Sequence, residues 1–209
     1  MRENKGTVFD GFAAGSNYDR FASISGFGPS LYRKAAAELP LRQGMRVLDL
    51  GCGTAFFGIA VAELIGDGSE IHGVDLSEKQ LNHARSKTQD SSASFEFRCC
   101  SMHELPYEDA TFGAVITSLA LHAVPPEVRR GAIRETSRVL EPGGIFGLVE
   151  WGKPRFGLWG LIWLPMLLRG RGGDNWQNTY PRLCREVGLQ PVKDVYLNSL
   201  VRCQIFKKT

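Results

Sequence analysis

The amino-acid sequence predicts an α/β fold: a doubly wound, mostly parallel sheet with helices on both faces. Three observations carry this expectation. Short apolar runs of strand length alternate with segments of helical period between residues 46 and 150, the pattern of βαβ units. The first apolar run, "RVLDL", passes through "GCG" directly into a helical segment. The second, "IHGVDLS", ends on an acid about two dozen residues later, where open α/β sheets place a ribose-binding carboxylate.

Strands are expected near Arg46–Leu50, Glu70–Val74, Ser94–Arg98, Gly113–Thr117 and Gly144–Glu150, and helices near Ala55–Ile65, Glu78–Lys87 and Pro126–Leu140. Ser77 is an N-cap with Gln80 at the capping-box position. "EPGG", Glu141 to Gly144, ends a helix and turns the chain into the next strand. Tyr18 to Leu39 reads as one or two helices covering the site. After Trp151 come the bulky stretch "FGLWGLIWLPMLL", then "RGRGGDN", then a helix near Trp176–Val187. The runs Val192–Leu197 and Val201–Phe206 form a hairpin around Asn198-Ser199. The chain reads as a single domain over 1–209: a helical cap at 1–40, a cofactor-binding core at 41–151, and an apolar helical segment plus C-terminal hairpin at 152–209.

Composition excludes several classes. The chain has 209 residues, 43% hydrophobic and 22% charged, with net charge +3, an ordinary globular balance without the basic stripe a nucleic-acid platform needs. The five cysteines, Cys52, Cys99, Cys100, Cys184 and Cys203, lack metal-type spacing; they read as reduced thiols, and no metal is expected. "MRENKGTVFDGF" is too polar for a signal peptide. The apolar stretch from Phe156 is shorter than a membrane span and holds Pro165, so it reads as core, lid or interfacial helix. The expected location is the cytoplasm, with peripheral membrane contact through that stretch.

The first loop narrows the ligand. A dinucleotide fingerprint calls for a third glycine where Phe56 stands, and Asp49 has no use beside a pyrophosphate. A ligand with both an ammonium and a carboxylate fits better: loop amides take the anion, Asp49 favours the cation, and Asp75 accepts the ribose hydroxyls. S-adenosylmethionine combines these groups.

"VLDLGCGT", "HGVDLS", "HELPYEDATFGAVITSLALHAV" and "RVLEPGGIFGLVEW" resemble, in order and spacing, the motifs of class I S-adenosylmethionine-dependent methyltransferases. Within that family the chain is most similar to the branch that includes ubiquinone/menaquinone C-methyltransferases, through "VFDGFAAGSNYDRF", "EWGKP" and "YLNSLVRCQIFKK". The resemblance implies a seven-stranded Rossmann-like sheet whose last two strands are the C-terminal hairpin. It implies cofactor contacts from Tyr18, Asp49, Gly51, Cys52, Gly53, Thr54, Asp75, Leu76, Ser101, Met102 and Ser118, with S-adenosylhomocysteine as product. It departs from the family at three places. Ala55 stands where glycine is frequent, tolerable if its φ is negative. Ser101, followed by Met102, stands where an acid or Asn commonly meets the adenine amino group. His122 and Ala123 replace the Arg-Asn pair of the quinone branch.

Methyl transfer is an in-line displacement, driven largely by proximity. His122 is the candidate base for an acceptor that loses a proton, and Tyr18 a second catalytic candidate. Phe21, His122, Trp151, Trp159 and Trp163 are the candidate acceptor contacts. His103 reads as a loop-surface residue, His72 as a strand residue and His83 as an exposed helix residue. Cys52 is not expected to act as a nucleophile, and Cys99-Cys100 are expected to finish a buried strand. The expected function is methyl transfer to a small hydrophobic acceptor: a lipid, isoprenoid or aromatic molecule. Phospholipid N- or thiol S-methylation stays open within that reading. A sensor or scaffold that binds S-adenosylmethionine without turnover is the other class. A nucleic-acid methyltransferase is excluded because "SLALHAVPP" stands where an Asn/Asp-Pro-Pro-aromatic signature would be.

Overall fold

A computed structural model describes residues 15–155, 157 and 177–209, and only the backbone of Asn17, Tyr18 and Phe21. Strand alternation organises the core. In β1 (Arg46–Leu50), Val47 packs into one apolar cluster and Leu48 and Leu50 into another. The first cluster joins the sheet to α1 (Ser16–Ile24), α2 (Pro29–Glu38) and α3 (Phe56–Ile65) through Ala22, Leu31, Tyr32, Phe57 and Val61. The second joins it to α5 (Pro126–Val139) and α6 (Thr179–Glu186) through Ile133, Tyr180 and Leu183. Each fully buried Leu or Phe contributes about 1.5–3 kcal/mol, so covering both faces is what holds the sheet.

The sheet has seven strands in the order β3-β2-β1-β4-β5-β7-β6. β2 (Glu70–Asp75), β3 (Ser94–Cys99), β4 (Phe112–Ser118) and β5 (Leu140–Trp151) run parallel to β1. β7 (Val201–Lys208) inserts antiparallel between β5 and β6 (Leu189–Tyr196). The strand order reverses between β1 and β4, and that junction is where a crevice opens at the carboxyl ends of the strands.

Local chemistry sets the boundaries. α4 (Glu78–Thr88) starts at Ser77, whose side chain accepts from Gln80 N at 3.3 Å. The Gln80 Oε1 accepts from Gly15 N at 2.9 Å, so this side chain ties α4 to the residue ahead of α1. After α5, Leu140 pairs with Phe112, Glu141–Gly144 loop out with Gly143 at φ 77°, and pairing resumes at Ile145 with Ala114. The Asn198 Oδ1 accepts from Leu200 N and Val201 N, both at 2.8 Å, closing the turn between β6 and β7.

Three expectations are corrected. Cys99 is exposed and Cys100 half-buried, because β3 is an edge strand with a mostly exposed pattern. His83 is half-buried rather than exposed, its Nε2 lying 3.1 Å from Asp19 Oδ2. Ala55 has φ +64°, the left-handed region in which a Cβ is strained, whereas the sequence reading required a negative φ.

Ala55 is 1% exposed, which makes its substitutions informative. Ala55→Gly relieves roughly 1 kcal/mol of strain but loses a buried methyl of about 0.8 kcal/mol, so stability should stay nearly level. Ala55→Val, β-branched, should destabilise by at least about 1–2 kcal/mol. Thermal melts of the three proteins check this; coincident curves would mean that the left-handed turn is not held in solution.

Candidate active site

The carboxyl ends of β1, β2, β4 and β5, with the loop after β3, surround one cavity of about 280 Å³. Gly51, Cys52, Gly53 and Thr54 enter it from β1, Asp75 and Leu76 from β2, and Met102 from beyond β3. Ser118 and His122 enter it from β4, and Trp151 from β5. These residues were all expected at the site. Asp49 and Ser101 are not among the described residues that line it. The Ser101 hydroxyl, buried, lies 2.6 Å from His103 Nδ1. Only the backbone of Tyr18 and Phe21 is described, on α1, and Trp159 and Trp163 lie outside the described residues. Among the described residues no group of three or more His, Cys, Asp or Glu is placed to hold a metal ion, and no helix is long and apolar enough to cross a membrane.

The glycine loop works differently from the expectation. Gly51 N and Cys52 N donate to Val74 O at 2.8 and 3.0 Å, and Gly53 N donates to Asp75 Oδ2 at 3.0 Å. These amides bind the loop to β2, so they do not form a row of donors for an anion. What the glycines supply is close approach. A Cβ on Gly51 would come within 2.7 Å of the Ala120 Cβ, while a Cβ on Gly53 would project into open space beside the cavity. That open space leaves the Gly53 backbone accessible to a ligand. Asp75 stands at its edge, with Oδ1 accepting from Ser77 N at 2.8 Å. A cavity-lining carboxylate beside an accessible glycine backbone suits a ribose-bearing ligand.

The cap is tied to this loop by charge. Asp19 on α1 accepts from the Thr54 hydroxyl at 2.5 Å through Oδ1 and from Lys87 Nζ at 2.8 Å through Oδ2. Lys87 also donates to Thr54 O at 2.9 Å and stands 3.9 Å over the Phe56 ring. Sequence reasoning missed Asp19 and Lys87, whose partners lie far apart along the chain. It also missed the aromatic wall: Phe27, Tyr32 and Phe56 line the cavity, and Phe27 meets Trp151 edge-on at 5.0 Å.

His122 sits on a 3-10 turn, Leu121–Ala123, after β4. Arg129, 5% exposed on α5, holds that turn by donating to Leu121 O at 2.9 Å and Val124 O at 3.2 Å. The imidazole Nδ1 is 3.0 Å from Glu150 Oε2, and the Trp151 indole N–H donates to Nε2 at 3.4 Å. Glu150, 1% exposed, also accepts from His122 N and Trp151 N, each at 3.2 Å. A signal for Glu150 existed: an acid closing an otherwise apolar strand in "IFGLVEW", as Asp49 does in "RVLDL".

Asp49 is 1% exposed, and its Oδ2 accepts from Gly58 N at 3.0 Å, pinning the first turn of α3. Its Oδ1 is buried with no hydrogen-bond partner. Burial pushes the carboxyl up to about 7, the Gly58 amide opposing the shift and Asp75 adding to it. Such a group favours a nearby cation. The folded value lies above that of the unfolded chain, so native Asp49 binds more protons between roughly pH 4 and pH 7, and its contribution to stability falls as pH rises through that window. Asp49→Asn, which keeps an oxygen for Gly58 N, should be more stable than wild type at about pH 8 and lose most of that advantage by about pH 4. Urea melts at both values test this; an equal difference at both would mean that Asp49 does not titrate there.

Comparison with known proteins agrees with this geometry. Residues 47–144 match the family described as a methyltransferase domain. A demethylmenaquinone methyltransferase of Staphylococcus aureus (strain MRSA252) is 34% identical over 139 residues, covering 66% of this chain and 56% of that protein. The chain thus spans little more than half the length of that relative. An S-adenosylmethionine-dependent methyltransferase of Aquifex aeolicus superposes with a TM-score of 0.71 at 17% identity, over 92% of this chain and 96% of that one. The Burkholderia thailandensis 1,6-didemethyltoxoflavin-N1-methyltransferase, solved with bound 1,6-didemethyltoxoflavin and S-adenosylhomocysteine, superposes with a TM-score of 0.66 at 19% identity, over 97% of this chain and 93% of that one. Residues 47–144 thus match a methyltransferase domain, and the strand order and these likenesses make the chain similar to class I S-adenosylmethionine-dependent methyltransferases, in sequence to their menaquinone branch.

Proposed function

We propose that the chain transfers a methyl group from S-adenosylmethionine to a small hydrophobic acceptor, a lipid, isoprenoid or aromatic molecule. The observation that carries this is the division of the cavity by strand order. Asp75 and the Gly51–Gly53 loop lie on the β2 and β1 side; His122 and Trp151 lie on the β4 and β5 side. The first side suits a nucleoside. The second, with Phe27 and Trp151, suits an apolar acceptor next to an imidazole. Bound there, S-adenosylmethionine would supply an electrophilic methyl on a sulfonium and leave as S-adenosylhomocysteine. Asp75 would orient the ribose, the loop would bring backbone close to the ligand, and buried Asp49 would favour its positive charge from below the loop. His122 would take the acceptor's proton.

The Staphylococcus aureus relative is named for a quinone precursor, which supports an apolar acceptor here. His122 and Ala123, in place of that branch's Arg-Asn pair, favour a different ring or chain.

Release of S-adenosylhomocysteine with a panel of hydrophobic acceptors tests the reading; tight cofactor binding without release from any acceptor would favour a sensor or scaffold. Asp75→Ala should weaken S-adenosylmethionine and S-adenosylhomocysteine by about 1.5–3 kcal/mol, and unchanged calorimetric affinity in a folded variant would remove the ribose role. His122→Ala should lower kcat by roughly two to four orders of magnitude with cofactor affinity nearly unchanged. A variant that keeps its rate would leave His122 as a wall of the pocket.

A further inference from the structure

We propose that Glu150 is the positioning residue of this site. It holds His122 in the Nδ1–H tautomer, so the Nε2 lone pair receives the acceptor's proton, and the acceptor is a molecule that must shed a proton on methylation. A phenol or a carbon acid fits; a tertiary amine or thioether does not. The inference rests on the methyl-transfer reading above.

Hydrogen-bond logic carries it. Glu150 Oε1 receives His122 N, and Oε2 receives Trp151 N. Backbone amides can only donate, so both oxygens act as acceptors, the arrangement of an ionised carboxylate. The contact between Oε2 and Nδ1 at 3.0 Å therefore needs the proton on Nδ1. On the other side of the ring, Trp151 brings an indole N–H, which has no acceptor capacity, to within 3.4 Å of Nε2. The opposite tautomer would set a lone pair against the carboxylate and an N–H against an N–H. Both neighbours thus select the same form, and His122 lines the cavity. At 3.4 Å the indole contact is long for a hydrogen bond, and an acceptor hydroxyl can replace it.

The step balances. A lone pair or carbanion pair of the acceptor forms the bond to the methyl carbon, and the C–S pair passes to sulfur, which loses its positive charge. The acceptor's proton passes to Nε2. The resulting imidazolium faces Glu150, whose charge offsets it inside a buried setting. A tertiary amine or thioether has no proton to give and gains nothing from this pair.

The test uses the whole chain with ¹⁵N-labelled histidine, the His122 signals being assigned by their loss in His122→Gln. In the uncharged ring the wild type should show a protonated Nδ1 and an unprotonated Nε2. In Glu150→Gln the Nε2–H form should gain population. With a phenolic acceptor its kcat should fall roughly 10²–10⁴-fold, the scale of losing an orienting carboxylate, while calorimetric affinity for S-adenosylhomocysteine stays within about twofold. A wild-type spectrum dominated by Nε2–H overturns the proposal even if Glu150→Gln fails to fold. So does a folded Glu150→Gln that keeps full turnover, or a wild type that methylates only tertiary amines or thioethers. Absence of S-adenosylhomocysteine release from every acceptor, together with the Nδ1–H spectrum, instead overturns the methyl-transfer reading and with it the acceptor class, leaving only the tautomer assignment.

Discussion

The reversal of strand order between β1 and β4 is the constraint on which the rest depends. β1 pairs with β2 on one side and β4 on the other, all parallel, so the loops leaving β1 and β4 diverge toward helices on opposite faces. The two strands are locked at that point by the Thr117 hydroxyl, which donates to Leu50 O at 2.8 Å in a buried setting. The gap between the loops is then narrow. Gly51, at φ +66°, has no room for a Cβ against Ala120, so only glycine lets the two loops meet while the cavity stays open beside them.

Strand parity then distributes the acids. Val47 faces the α3 side and Leu48 and Leu50 the α5 side, so Asp49 is delivered to α3, where Gly58 N receives it. In β5, Phe146 and Leu148 face the α5 side, so the alternation turns Glu150 toward the turn that Arg129 holds. The two buried acids differ in satisfaction. Glu150 accepts two backbone N–H bonds and lies 3.0 Å from His122 Nδ1, whereas one oxygen of Asp49 has no partner. A buried polar atom without a partner destabilises by about 1–3 kcal/mol, and Ala55 adds backbone strain six residues further on. Both departures flank the cavity-lining residues Gly51–Thr54 at the β1–α3 junction, where local stability commonly yields to function.

Most of the scaffold was legible because it rests on periodicity. The apolar runs, the glycine turn and the acids after β1 and β2 are local signals, and the observed strands begin and end within a few residues of the expected places. What failed depended on partners distant in sequence. Cys99-Cys100 follow an apolar run, yet the sheet order leaves β3 at an edge. His83 has a helical position that looks exposed until α1 brings Asp19 against it. No sequence rule gives the φ of Ala55, which lies in a turn closed by its own N–H donating to Cys52 O at 2.8 Å. Glu150 was read as a strand residue because its role exists only once the turn after β4 folds back onto the end of β5.

The same order places Asp75 and the glycine loop on one side of the cavity and His122 with Trp151 on the other. β2 and β1 end in acids and glycines and are roofed by charged contacts: Asp19, Thr54 and Lys87 close over the loop. β5 ends in Glu150 and Trp151, and there the cap contributes Phe27 rather than a charge. A salt-linked roof weakens with ionic strength, whereas an apolar wall does not. The two ends of the cap are therefore held by forces with different sensitivities. Screening by salt acts on the Asp19–Lys87 contact of α1 and not on the packing of Phe27 against Trp151. The two contacts lie on either side of the junction of β1 and β4, where the strand order reverses.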